Sequence, residues 1–376
     1  MRKLFFLALS TLSILSCSGL KTSTDKNEAP TLKFVDAVEV PYNTEFKNTL
    51  VGGLSSIDYD ADNELYYFIC DDKSSFNDAR FYTAKIPLQS NKIESVDFQN
   101  VVTLKNAKGE SYSDYDKFPD TSSDPEELRY NSKTKTVAWS SEGARVVSKN
   151  TTILQDPTLQ EATLNGIYSD TYTLPSNLKM KIEEKGPRNN GVLEGLTFDK
   201  EYKTLYTNIE EPLYEDGAKA TTSAGGLIRF YQFDVKSKQN TAQYAYLLEP
   251  IATEPIPANG FAVNGISSIL YYDQNRLLTV ERSYSVGRQS CSIKVYLSDI
   301  SKATNVKNMA SLQNQDIKLA TKKLVLDMDD LGIFIDNIEG ITFGPKLSNG
   351  KQSILFVSDN NFSDKQKTQI LLFEVE

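Results

Sequence analysis

A short apolar strand, a polar turn, a second strand and a closing acid recur five times in this chain, which limits its fold more than any other feature. The copies are "GGLSSIDYDADNELYYFICDD" (52–72), "EELRYNSKTKTVAWSSEG" (126–143), "NNGVLEGLTFDKEYKTLYTNIEEPL" (189–213), "NGISSILYYDQNRLLTVERSY" (264–284) and "EGITFGPKLSNGKQSILFVSDNN" (339–361). Registered on Gly53, Glu127, Gly195, Gly265 and Gly340, they lie 74, 68, 70 and 75 residues apart. Further alternating runs stand between them, such as "RFYTAKIPL", "LIRFYQFDV" and "SIKVYLSDI", bringing each module to about four strands paired as hairpins. This pattern predicts an all-β propeller of five four-stranded blades, or six if a long insertion hides a degenerate copy. The last module supplies three strands, ending in "TQILLFEV". The stretch "TLKFVDAVEVP" near the N-terminus is predicted to supply the fourth and close the ring.

The N-terminus reads differently. Arg2 and Lys3 precede an apolar run from Leu4 to Leu15 that is too short to span a bilayer. Ser16 stands directly before Cys17, as in a bacterial lipoprotein signal. The expectation is a signal over 1–16, cleavage before Cys17 and lipidation of its thiol, then a flexible tether over 17–30 and one propeller domain over 31–376. Such a protein would sit in the cell envelope, periplasmic or surface-exposed, touching membrane only through its acyl chains. Cys70 and Cys291 lie in strand-like runs and are expected to be buried thiols rather than a disulfide.

Composition excludes several chemistries. No histidine occurs in the 376 residues, so a Ser-His-Asp triad, a Cys-His dyad and a histidine-rich zinc site are ruled out within the chain. The formal net charge of −9 argues against nucleic-acid binding and favours a cation partner.

The start of strand one and the end of strand two lie side by side in an antiparallel hairpin, so both fall at one mouth of a propeller channel. The residues before the registering position are Gly52, Glu126, Glu194, Asn264 and Glu339. Those read as ending strand two are Asp71, Glu142, Glu210, Glu281 and Asp359, an acid in every copy. Strands often end in polar turns where Asp is favoured, and that is the plainer explanation. Against it, eight of these ten positions carry carboxylates. Crowded carboxylates repel unless they protonate or a cation sits among them. The all-oxygen donor set suits Ca²⁺, and Arg145 and Arg282 stand close enough in sequence to pair with neighbouring acids. The acidic stretch "YSDYDKFPDTSSDPEE" (112–127) reads as a solvated loop rather than part of a rim, with Asp124 and Glu126 expected at its functional end. The registering glycines are expected to let strands approach closely at the axis.

From about residue 50 to the C-terminus the chain resembles the "esterase-like activity of phytase" family, most specifically in "NNGVLEGLTFDKEYKTLYTNIEEPL", "DPEELRYN", "LLTVERSYSVG" and "NIEGITFGPKLSNGKQSILFVSDNN". The resemblance implies a propeller that hydrolyses an ester or phosphate ester with calcium held by acids. On that reading Asp71, Glu126, Glu142, Glu194, Glu210, Glu281, Glu339 and Asp359 would hold the metal, with the catalytic groups drawn from Glu194, Glu210, Glu281, Arg282 and Arg145. The partner would be a small-molecule ester acted on by a monomer. The alternative is a non-catalytic, calcium-stabilised binding propeller for a glycan, peptide or protein.

Overall fold

The computed structural model describes residues 28–376; the expected signal, Cys17 and most of the tether lie outside the described residues. Five four-stranded antiparallel sheets form the body of the molecule, with three two-stranded hairpins outside them among the described residues. From the inside out, blade one is Asp58–Asp60, Leu65–Cys70, Arg80–Lys85 and Asp97–Thr103. Blade two is Pro125–Asn131, Thr136–Ser141, Thr158–Thr163 and Tyr168–Thr171. Blade three is Leu193–Phe198, Thr204–Ile209, Leu227–Asp234 and Asn240–Leu247. Blade four is Ala262–Asp273, Arg276–Ser285, Ser292–Asp299 and Thr321–Asp327. Blade five takes Asn337–Lys346, Gln352–Asp359 and Thr368–Val375 from the C-terminus and Leu32–Val40 from the N-terminus.

That last pairing closes the ring as the sequence predicts, Leu32 opposite Val375 and Val40 opposite Thr368. It gives the strand 368–375 a partner on both sides, leaving no long apolar edge open. Ala29, within the expected tether, lies against the core of blades four and five. Cys70 and Cys291 are free and buried. Among the described residues there is no α-helix, only four short 3-10 turns.

Blades are buried on both faces, which explains strands such as "LYYFIC" that are apolar without alternating. Tyr66 and Phe68 face blade five, in one cluster with Leu355, Val357, Ile370 and Leu372. Tyr67 and Ile69, pointing the other way, join Leu128, Tyr130, Val137 and Trp139 of blade two. Each fully buried side chain of this size contributes about 1.5–3 kcal/mol.

The channel is plugged across its axis. Arg129 of blade two donates from Nη1 to the Ile57 carbonyl of blade one at 3.0 Å and from Nη2 to the Ile269 carbonyl of blade four at 3.1 Å. Its Nε reaches the Leu196 carbonyl of blade three. Asp58 receives Arg129 at 3.3 Å and the Thr342 hydroxyl of blade five at 3.2 Å, so all five blades meet in one network. Glu127 completes it, accepting from the Ser268 hydroxyl at 2.7 Å.

Candidate metal and active site

A bulge at the start of four inner strands sets which residues reach the mouth. Pairing skips between Pro125 and Leu128, Leu193 and Leu196, Ile266 and Ser268, and Ile338 and Gly340. Before the skip the facing pairs are Leu54 with Cys70, Pro125 with Ser141, Leu193 with Ile209, Ile266 with Glu281 and Ile338 with Ser358. The equivalent segments are therefore "LSSIDY" (54–59), "PEELRY", "LEGLTF", "ISSILY" (266–271) and "IEGITF". Blades one and four register on Ser56 and Ser268, not on Gly53 and Gly265. Successive registering residues then lie 71, 68, 73 and 72 apart.

The corrected register changes the ring. Its inner members are Ser55, Glu126, Glu194, Ser267 and Glu339, and its outer members are Asp71, Glu142, Glu210, Arg282 and Asp359. In blade four Arg282, rather than Glu281, holds the ring position. A shift of one residue along a strand moves a side chain to the opposite face. Glu281 accordingly accepts from the Tyr246 hydroxyl and Lys322 Nζ, both at 2.6 Å, and from Glu249 N and Asn264 Nδ2, both at 2.9 Å. It is a satisfied structural carboxylate away from the mouth.

Arg145 is also elsewhere. It stands on a short hairpin, Ala144–Val147 with Thr152–Gln155, and donates to the Lys181 and Ile182 carbonyls at 2.9 and 3.0 Å while lying over Tyr214. It anchors a wall loop and pairs with no ring acid.

The other seven expected acids do come together, joined by Asp124. They surround a cavity of about 820 Å³ at the mouth; Asp71, Asp124, Glu126, Glu194, Glu210 and Glu339 line it. Glu142 stands against Asp124 and Glu126, the three bringing carboxylate oxygens within 4.8 Å of one another. Asp359 is wholly buried, and its Oδ2 has no hydrogen-bond partner; neither has Asp124 Oδ1. Two glycines make room for ring acids: a Cβ on Gly53 would fall 2.1 Å from Asp71 Oδ1, and one on Gly265 2.3 Å from Glu210 Cγ.

Among the described residues two cations pair with these eight carboxylates. Arg282 Nη2 lies 2.7 Å from Glu210 Oε1 and Nη1 3.5 Å from Glu339 Oε1, while its Nε is buried without a partner. Lys73 Nζ lies 2.6 Å from Asp124 Oδ2. Burial, then mutual repulsion, holds Asp71, Glu126, Glu194 and Asp359 well above the usual carboxylate range. Burial and the Asp124 charge push Glu142 up to about 8. Burial raises Glu210 to about 7 against the pull of Arg282, and raises Glu339 and Asp124 against Arg282 and Lys73 respectively.

The sequence reading missed Lys73 and found few cations near the acids. The structure shows Lys73, Lys219, Arg288 and Lys365 all lining the same cavity, brought there by loops of four different blades. Phe261 and Tyr284 add an aromatic wall.

The family model for esterase-like activity of phytase matches residues 49–362. The chain belongs to that family. The match takes in the whole acidic ring and stops short of the strand 368–375 that meets the N-terminal strand. A search of curated protein sequences finds no match. Among solved structures, an α-L-arabinofuranosidase from Lactobacillus brevis is similar at 10% identity and a TM-score of 0.47, over 86% of this chain and 91% of that one. A thermostable family-43 glycoside hydrolase gives 10% and 0.46 over 89% and 96%. An N-acetylgalactosamine deacetylase from F. plautii gives 8% and 0.42 over 93% and 95%. Likenesses this distant say nothing of what the chain acts on.

Proposed function

We propose that this chain is a calcium-dependent ester hydrolase, acting on small esters that carry an anionic group, phosphate monoesters foremost. The observation that carries the reading is the Asp124–Glu126–Glu142 cluster, whose oxygens converge within 4.8 Å while Asp124 Oδ1 has no partner. A hard divalent cation supplies the charge that this oxygen set lacks, and Ca²⁺ accepts six to eight such ligands. Bound there, it would polarise an ester oxygen and lower the pKa of water. Membership of the family supports hydrolysis of an ester. Of the cations lining the cavity, Lys73, Lys219 and Arg288 pair with Asp124, Glu211 and Asp329, so an anionic substrate would rely on Lys365 and on the bound metal ion, with a paired lysine exchanging partners.

The chain's own groups divide the work. Glu210, raised to about 7, is suited to take a proton from water near neutral pH. Arg282 holds Glu210 in place and lies on the cavity wall, where its guanidinium charge would offset developing negative charge. Glu194 and Glu339, flanking Arg282 on the cavity wall, are the remaining proton carriers. We place the protein in the cell envelope, held by acyl chains on Cys17 and acting as a monomer.

A second reading, a non-catalytic binding propeller stabilised by a structural cation, is favoured by one observation: Asp124 and Glu142 are only 4% and 1% exposed. One experiment separates the two. Chelator-stripped and calcium-loaded protein are compared on a panel of carboxylic and phosphate esters. Turnover that needs calcium and is lost in Glu126→Gln and Glu210→Gln is expected. A calcium-loaded protein that melts higher yet turns over nothing on the panel would leave the binding propeller.

A further inference from the structure

Lys73 leaves the second strand of blade one two residues after Asp71 and reaches across the mouth to blade two, where its ammonium meets Asp124 Oδ2 at 2.6 Å. Among the described residues its one hydrogen-bond acceptor besides is Asn190 Oδ1, at 3.5 Å. The stem passes by Tyr115, whose ring centre lies 5.7 Å from Nζ. The side chain is 35% exposed, whereas its partner Asp124 is buried and has a second oxygen with nothing to bind. Glu126 and Glu142, which complete the oxygen cluster, also act on this ammonium.

A single ammonium on a flexible four-carbon stem carries one charge and can satisfy only the oxygens its three hydrogens reach. A divalent cation on the free Oδ1 of Asp124 would stand close beside the ammonium on Oδ2 of the same carboxylate, and two cations that near repel. We infer that Lys73 is a built-in competitor for the cation seat: it caps the Asp124–Glu126–Glu142 cluster, a divalent cation displaces it, and the freed ammonium then faces the anionic part of a ligand. The inference rests on the reading of that cluster as a cation seat. Two consequences follow. The chain binds its cation more weakly than the carboxylates alone would. Cation and anionic ligand bind cooperatively, because the lysine released by the first becomes a partner for the second.

The test uses the chain stripped with chelator and titrated calorimetrically with Ca²⁺. Lys73→Met keeps the apolar stem and removes the charge, and is expected to bind Ca²⁺ at least tenfold more tightly than wild type. Lys73→Arg is expected to stay within about threefold of wild type. Wild-type binding with an equal or weaker Lys73→Met overturns the competitor role and leaves the seat standing. No binding by either protein overturns both, and binding by Lys73→Met alone supports the competitor. A second measurement needs no variant: limiting acetylation followed by peptide mass analysis should show Lys73 modified severalfold more with Ca²⁺ than without. Equal or lower modification overturns displacement.

Discussion

Raising the pH of the cation-free protein should destabilise it, and calcium should reverse most of the loss. Glu142 and Glu210 are held up to about 8 and about 7 from an ordinary value of 4.5, chiefly by burial. Below pH 4.5 both are protonated in the folded and unfolded chain, and neither affects the balance. Between there and about 8 the fold keeps protons that the unfolded chain has released, so stability falls as pH rises. At about 1.4 kcal/mol per pH unit, either group alone corresponds to about 3–5 kcal/mol. The two share one field, so their effects are not summed. Glu127, raised to about 8 by burial in the axial plug, has the same sign but lies outside the acid ring, and calcium should not recover its share. The assay is thermal unfolding followed at Trp139, the single and buried tryptophan, at about pH 5, 6.5 and 8 with chelator or with Ca²⁺. The expected fall in Tm with chelator is about 5 °C or more across this range, most of it restored by calcium at pH 8. A Tm with chelator that is flat or rises from pH 5 to 8 would refute the reasoning, since the acids would then be ionised and paired already.

Other outcomes follow from placement. Glu281→Gln should leave calcium affinity within about twofold while lowering stability by about 2 kcal/mol, measured by denaturant unfolding, because its loss strands Lys322 and Tyr246 rather than a ring group. Arg282→Met should do the reverse to the site, raising the pH at which Glu210 ionises and so moving any pH–rate profile upward. Arg129→Met should cost about 3–5 kcal/mol, because it leaves Asp58 and Glu127 uncompensated at the axis. Gly195→Ala should cost about 3 kcal/mol or more, as its Cβ would meet the Ile269 amide nitrogen at 2.6 Å.

The architecture was legible because a propeller repeats its instructions. Five hairpins, the intervening strands and an unpaired final strand suffice to place Leu32–Val40 beside Thr368–Val375. The site was legible only where hydrophobic pattern and acid agreed. In blade four they did not: taking the acid as the marker chose Glu281, whereas the apolar spacing of "ISSILY" puts Arg282 at the ring. Blades one and four carry serine where blades three and five carry glycine, so a register hung on glycine slipped by three residues there. The spacing apolar–x–x–apolar–x–aromatic runs through four inner strands, with Pro125 opening the fifth, and was the better guide. Arg129 gave no such signal. Its role depends on carbonyls from three other blades, and no local pattern encodes a meeting at the axis. Lys73 was missed for the same reason: Asp124 is 51 residues away in sequence and one blade away in space.

The central claim concerns where a cation sits, and anomalous diffraction from crystals grown with Mn²⁺ in place of Ca²⁺ tests it most directly. The account predicts an anomalous peak bounded by Asp124, Glu126 and Glu142, with Lys73 swung away from Asp124. Ordered, cation-soaked crystals with no peak at that cluster, and Lys73 still on Asp124, would contradict it.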